Sequence, residues 1–486
     1  MEKKDTAHLD YNKLGFKCGL EIHQQLEGKK LFCNCPTINS SDEPDIKIER
    51  KLKATRGETG EIDKAARFEM DKAKRFIYVS SSDDTCLIDY DEEPINSINI
   101  NAVNTAIKVA MLLNAKIVDE MQIMRKIVVD GSNVAGFQRT SLIAMNGWVP
   151  TSNGKVSIPI ICLEEEAAQK IEDGKDYIKY RLDRLGIPLI EIATGTEIIS
   201  PEHAKETAAY IGMVLRSVEG IKRGLGTIRQ DVNVSIKGGS RTEIKGFQDL
   251  RSIPKVIDYE VKRQIEIISK GKNMEKEVRK AEPDFTTTFL RPMPGSARLY
   301  PETDSLPVII STAELEKLKR FLPKLITERI GEFRKKYGLT EELTREIINE
   351  DYNGIFEKFV STFKKIEPFF IASTLINTPK EIKKRYSLDP SKLSEKDLEE
   401  VLGYLNDGKI TKEAVIDILI EKLMGEKTDL SKYSAVSEGE IESEIKRIVK
   451  EKPGLNAGGY MGLVMAKYRG KIDGKRIMEI LKKNMR

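Results

Sequence analysis

Cysteine is scarce in this chain. There are five in 486 residues, and only Cys33 and Cys35 stand close together, in FCNCP. That spacing excludes a disulfide-framed secreted fold and points to a reducing, cytoplasmic setting. No apolar run approaches the roughly 18 residues a membrane span needs. The opening MEKKDTAHLD lacks the apolar core of a signal peptide. There is no G-x-x-x-x-G-K-[S/T] and no G-x-S-x-G, so neither a P-loop nor a nucleophile elbow is present. Histidine is rarer still, with three in the chain. One of them, His23, stands two residues from Glu21 in the strand-like GLEIHQQL.

Net charge is only +4, but it is uneven. Residues 446–486 hold 12 Lys/Arg against 3 Asp/Glu. A near-neutral body with a basic tail suits a polyanion met at one end. In that tail, Lys467, Arg469 and Lys471 follow Gly458, Gly459 and Gly462, and we read the three cations as nucleic-acid backbone contacts.

A chain this long exceeds one core. The pattern predicts an α+β protein in three parts. Residues 1–305 form an antiparallel, β-rich N-terminal domain with flanking helices. Residues 306–395 form a helical middle domain, and 396–486 a small helical tail domain. Helices are expected over Ser97–Ala115, over SPEHAKETAAYIGMVLRSV after the cap Ser200, and over IPKVIDYEVKRQIEIISKG. Ser311 and Glu314 form a capping-box pair ahead of a further helix. SLDPSKLSEKD, Ser387 to Asp397, reads as a hinge.

Five strands carry one acidic or basic face each. Residues two apart share a strand face. Glu21 and His23 therefore lie opposite Leu20 and Ile22. Glu191 faces away from Ile190 and Ile192. Arg229, Asp231 and Asn233 oppose Ile228, Val232 and Val234, while Arg241, Glu243 and Lys245 share a face. In IICLEEE, Glu165 takes the side of Ile161 and Leu163, with Glu164 and Glu166 opposite. Acids are depleted in ordinary solvated strands, so five such faces point, if they converge, to a carboxylate-rich pocket of Glu21, His23, Glu165, Glu191, Asp231 and Glu243. Its repulsion calls for divalent cations or basic partners. Oxygen ligands with one imidazole suit Mg²⁺ or Mn²⁺ better than Zn²⁺. Cys33, Cys35 and Cys86 are candidates for structural zinc, but a C-x-C without a second close pair favours idle thiols. DGSNVAGFQRTSLIA reads either as a simple hairpin or as a turn able to bring backbone N–H groups and Arg139 against a phosphate. RPMPGSARLYPETD is a rigid segment that shapes either a site or a domain joint.

GLEIHQQLEGKKLFCNCP, TCLIDYDEEP, DGSNVAGFQRT, LEEEAAQ, GIPLIEIATGTEI, IRQDVNVSI and RPMPGSARLYPETD occur in order over some three hundred residues. With NAGGYMGLVMAKYRGKIDGKRIMEILKK they resemble the B/E family of glutamyl-tRNA(Gln) amidotransferase subunits, on its archaeal, E-type side. The resemblance implies that residues 1–305 are a catalytic cradle. It also implies an ATP- and Mg²⁺-dependent enzyme that phosphorylates the γ-carboxylate of Glu-tRNA(Gln) and then transamidates it. Ammonia would come from an asparaginase-like D-type partner, in a heterodimer or heterotetramer. By the same likeness His23, Glu165 and Glu191 are Mg²⁺ ligands, and Glu21, Asp231 and Glu243 surround a second cation. Glu164 and Glu166 stay open as alternatives to Glu165. Arg139, Arg184, Arg229 and Lys245 are candidate phosphate or carboxylate contacts, Tyr300 and Glu302 candidate ammonia-path residues. Two alternatives stand beside this reading. One is a bacterial, B-type protein, working with an amidase and a small third component and also on Asp-tRNA(Asn). The other is a tRNA-binding factor without catalysis. Only some 45 residues separate Lys245 from Arg291, so the aspartyl-tRNA-synthetase-like insertion domain usual in the E type is expected to be absent.

Overall fold

The computed structural model describes residues 9–38, 43–56, 60–224, 226–247, 249–295, 299–350, 352–425, 429–433, 438–468 and 474–484. The chain divides into two compact units, Met1–Leu325 and Ile326–Arg486.

An 11-stranded sheet organises the first unit. From one edge its strands are Thr287–Pro292, Glu277–Ala281, Thr242–Phe247, Ile228–Ser235, Lys17–Gln25, Pro188–Ala193, Gly154–Glu165, Phe137–Thr151, Ile123–Ile127 and Leu299–Pro301. Lys116–Ile117 pairs with Phe137–Thr151 as the eleventh. Neighbours run antiparallel except Thr242–Phe247 with Glu277–Ala281, which are parallel. A parallel pair needs a crossover, and the Ser252–Ser269 helix lies between them in the chain. A smaller four-stranded sheet holds Ile46–Arg50, Arg75–Ser80, Tyr177–Arg181 and Gln169–Asp173.

The central strands bury one face completely. Leu20, Ile22, Ile190, Ile192, Val232 and Val234 are at most 1% exposed. The Pro201–Ser217 helix packs on the Lys17–Gln25 strand and the Ser252–Ser269 helix on Ile228–Ser235. Burying each such side chain contributes roughly 1.5–3 kcal/mol, so the apolar face carries the stability and leaves the other face free for chemistry. The first of these helices begins as its sequence dictates. Ser200 accepts from the His203 amide, Pro201 takes the first position and Arg216 lies in the last turn. The helix expected over Ser97–Ala115 is shorter, Ile100–Leu112, because Asn99 caps it by accepting from Asn101 and Ala102.

In the second unit, among the described residues, three apolar clusters follow one another along the chain. Ile347, Phe356, Phe359 and Ile371 belong to the first. Ile382, Val401, Ala414 and Ile418 belong to the second, and Ile441, Val464, Ile477 and Leu481 to the third. Leu388 and Leu393, from the stretch expected to hinge, pack against the second cluster. A capping box of Ser394 with Asp397 then starts the Glu395–Asn406 helix. The Ser311/Glu314 box is present on Thr312–Arg320. No described helix is long and apolar enough to cross a membrane.

Candidate active site

Strand pairing gathers the polar faces. Glu21 lies opposite Asp231, and His23 lies between Arg229 on one side and Glu191 on the other. Directly opposed residues share a face, so one patch is set by register alone. Glu191 pairs with Cys162, two residues before Glu164, which puts Glu164 on the same face. An irregularity between Gln230 and Val232 shifts the pairing with Thr242–Phe247. Across that shift the Lys245 ammonium reaches Asp231.

Two acidic triads result. In the first, His23 Nε2 stands 3.6 Å from Glu191 Oε2 and 4.0 Å from Glu164 Oε1. In the second, Glu21, Asp231 and Glu243 meet. Within each triad the candidate ligand atoms all lie within 4.8 Å of one another. His23, Glu164 and Glu191 of the first triad and Glu21 and Glu243 of the second line a cavity of about 630 Å³, with Asp231 fully buried beside them. A lysine enters each. Lys126 Nζ is 2.8 Å from Glu164 and 3.7 Å from Glu191. Lys245 Nζ is 2.7 Å from both Asp231 and Glu243. Asn233 donates to Glu21 at 3.1 Å, and Arg241 approaches it at 3.6 Å.

The electrostatics show how crowded this negative charge is. Burial, then the charges of Glu243 and Glu191, push the Glu21 carboxyl up. Burial likewise pushes Glu164 up. Glu191 is held well below the usual range, because Lys126 and His23 outweigh its burial. Asp231 is held down by Lys245, again against burial. Burial pulls the His23 imidazole down, but its contact with Glu191 outweighs that and raises it. Carboxyls pushed up beside carboxyls held down by cations are the mark of a site short of positive charge. His23 is 6% exposed and its Nδ1 has no hydrogen-bond partner, so Nε2 is the nitrogen turned to the acids. Five carboxylates and one imidazole fit Mg²⁺ or Mn²⁺.

The three consecutive acids have three different surroundings. Glu164 joins His23 and Glu191. Glu165, which both the reading of converging polar faces and the resemblance placed there, turns to the opposite face, as its alternation with Ile161 and Leu163 requires. There Glu165 Oε2 accepts from the Arg139 amide at 3.1 Å, and its Oε1 is 3.4 Å from the guanidinium. Glu166 Oε1 holds both Arg184 and Arg229 at 3.3 Å, and its Oε2 accepts from Gln25.

The remaining candidates divide. Arg229 and Lys245 line the large cavity. Arg139 lines a separate, smaller cavity with Glu165, Lys30 and Asp89. Its Nε donates to Glu302 Oε2 at 2.7 Å, its guanidinium lies over the Phe32 and Phe137 rings, and Arg125 binds Glu302 from the other side. The Tyr300 ring packs edge-on against Phe137. Lys467 pairs with Glu444 at 2.9 Å, while Arg469 and Lys471 lie outside the described residues. Cys33, Cys35 and Cys86 come together and gain Asp89 as a fourth donor, a Cys₃Asp group able to hold a metal ion. The fully buried Lys30 donates to Asp89 at 3.1 Å. A hydrogen bond with Cys33 lowers the Cys35 thiol to about 7.

Sequence reading missed Lys126 and Asp89. Lys126 looks like any solvated strand lysine until strand order is known. Asp89 had a usable signal, the C-x-x-D spacing from Cys86 in TCLIDYD.

A family model described as the GatB/GatE catalytic domain matches residues 16–316, and one described as the GatB domain matches 354–485. The chain is similar to the E-type subunit of the glutamyl-tRNA(Gln) amidotransferase of Methanocaldococcus jannaschii, 37% identical over 627 residues, covering 98% of this chain and 99% of the relative. The proteins of the same description from Methanococcus maripaludis strain C7 and Archaeoglobus fulgidus are 37% and 35% identical, at 98% of this chain and 99% of each relative. The first alignment, at 627 positions against a chain of 486, leaves at least 141 positions without a residue of this chain. Here the span from Lys245 to Arg291 is taken up by one helix and the Glu277–Ala281 and Thr287–Pro292 strands, consistent with a missing insertion.

Proposed function

The chain belongs to the GatB/GatE family, and from that premise we propose that it converts Glu-tRNA(Gln) to Gln-tRNA(Gln) by phosphorylating and then amidating the glutamyl γ-carboxylate. The observation that carries this reading is the pair of acidic triads, each with its own cation, on one wall of one cavity. A carboxylate is a poor electrophile, so a γ-carboxylate oxygen attacks the γ-phosphorus of ATP while the bond to the β-phosphate oxygen breaks. Ammonia then adds to the acyl carbon, phosphate leaves and a proton is lost. Two anions must approach each other, and such chemistry is mainly positioning and charge neutralisation.

His23, Glu164 and Glu191 would hold one Mg²⁺, and Glu21, Asp231 and Glu243 a second. When bound, these ions supply neutralisation of the phosphates and the carboxylate. The chain's own contribution is orientation. Arg229, fixed by Glu166, faces the cavity beside His23 and positions an anionic group there. Arg139 supports the wall from behind through Glu165 and Glu302. Ammonia is supplied by an asparaginase-like partner, and the basic tail around Lys467 contacts the tRNA backbone.

Free ammonium substitutes for the partner in the test. The purified chain, given Glu-tRNA(Gln), ATP, Mg²⁺ and ammonium chloride, should form Gln-tRNA(Gln). A chain lacking residues 454–486 should need more tRNA to reach half-maximal rate. A folded chain that forms no Gln-tRNA under these conditions contradicts the proposal.

A further inference from the structure

Acids on this sheet are paired in two different ways. Glu166 is held by Arg184 and Arg229, and Glu165 and Glu302 by Arg139. The two triads that face the cavity are held instead by the ammonium groups of Lys126 and Lys245. Arg241 also approaches Glu21, but at 3.6 Å from a half-exposed position. The difference is chemical. Guanidinium is a planar fork that locks a carboxylate pair, whereas ammonium is a point charge on a flexible four-carbon stem and is readily exchanged. Each lysine also bridges two acids of its triad, close to where a cation shared by them would sit.

We propose that Lys126 and Lys245 are built-in counter-cations that a divalent ion displaces from the triads, and that the displaced ammonium groups then hold the phosphates of the nucleotide in the same cavity. This rests on the reading of the triads as cation sites. Without an ion, five largely buried carboxylates require these lysines to avoid mutual repulsion. When an ion enters, the same carboxylates cannot serve both cations at full strength, and the lysine side chain swings into the cavity. Ion binding thereby creates the positive surface that an anionic nucleotide needs, so the two ligands bind cooperatively.

The test is Mn²⁺ binding to the full chain without nucleotide, followed by the electron paramagnetic resonance signal of free Mn²⁺. Lys126→Met and Lys245→Met should each bind Mn²⁺ at least about tenfold more tightly than the natural chain, since the competing charge is gone. Lys126→Arg, which keeps the charge, should bind no more tightly than the natural chain. At saturating Mn²⁺, both Met variants should bind a non-hydrolysable ATP analogue at least about tenfold more weakly. A purely structural lysine would weaken Mn²⁺ binding when removed. Met variants that bind Mn²⁺ no more tightly overturn the exchange and leave the proposed function standing. No Mn²⁺ binding by any form overturns both. Should the Met variants fail to fold, the natural chain titrated with Mg²⁺ gives the answer by lysine ε-carbon resonances. Two of them should shift, and an unchanged spectrum at saturation overturns the proposal.

Discussion

Glu164→Gln lowers Gln-tRNA formation by about a thousandfold or more, while Glu165→Gln stays within about tenfold of the natural rate. The two side chains are neighbours in the sequence and face opposite sides of the sheet. Glu164 stands 4.0 Å from His23 Nε2 and 2.8 Å from Lys126 Nζ. Removing its charge takes one of only two carboxylates from the first triad. Glu165 accepts from the Arg139 amide and guanidinium behind the wall. Gln at 165 still accepts a hydrogen bond, so the loss there is one of stability, about 1–3 kcal/mol for a weakened buried contact to a charged group. Initial rates at matched folded fraction, checked by circular dichroism, separate the two effects. A dead Glu165→Gln beside an active Glu164→Gln would place the cation ligand on the other face.

Glu302→Ala destabilises the first unit by about 3–5 kcal/mol. Glu302 is 3% exposed and joins Arg125 and Arg139, with backbone amides of Thr303 and Asp304 donating at 2.8 and 3.0 Å. Alanine leaves two largely buried guanidinium groups without their shared acid. Although burial alone would raise it, the Arg125 hydrogen bond, the Asp304 amide and Arg139 hold the Glu302 carboxyl at about 2, against an ordinary 4.5. A depressed folded value stabilises the fold wherever the carboxyl is ionised in both states. That stability, about 3 kcal/mol, is complete above pH 4.5 and is lost as pH falls towards 2. Denaturant midpoints for the natural chain and Glu302→Gln should therefore differ most near neutrality and converge below pH 4.5. A difference that stays constant with pH would show that Glu302 is not the ionised hub of this network.

The features legible in the sequence are those set by neighbours in the chain. Ser200 and Ser311 cap helices because a cap needs only the next three residues. The polar faces of Glu21/His23 and Asp231/Asn233 follow from alternation alone. What sequence could not supply is strand order. Only the pairing of Lys17–Gln25 with both Pro188–Ala193 and Ile228–Ser235 brings His23 to Glu191 and Glu21 to Asp231. The shift at Gln230/Val232 has no sequence signal, yet Lys245 meets Asp231 across it. Lys126 was invisible for the same reason, since its partners lie 38 and 65 residues away in the chain. At EEE the alternation with Ile161 and Leu163 put Glu165 on the apolar side, yet the reading of converging polar faces and the family likeness both counted it in the pocket. The parallel strand pair was hidden because Glu277–Ala281 was not recognised as a strand, which left Thr242–Phe247 without a partner across the following helix.

The proposed reaction requires that a γ-carboxylate oxygen become bonded to phosphorus. Glu-tRNA(Gln) carrying ¹⁸O in both γ-carboxylate oxygens, turned over with ATP and ammonium, tests this by mass spectrometry of the released phosphate. Phosphorylation followed by amidation leaves one ¹⁸O in each phosphate and one in each amide. Phosphate without ¹⁸O, released in step with Gln-tRNA formation, would rule out the acyl phosphate and the chemistry assigned to the two triads.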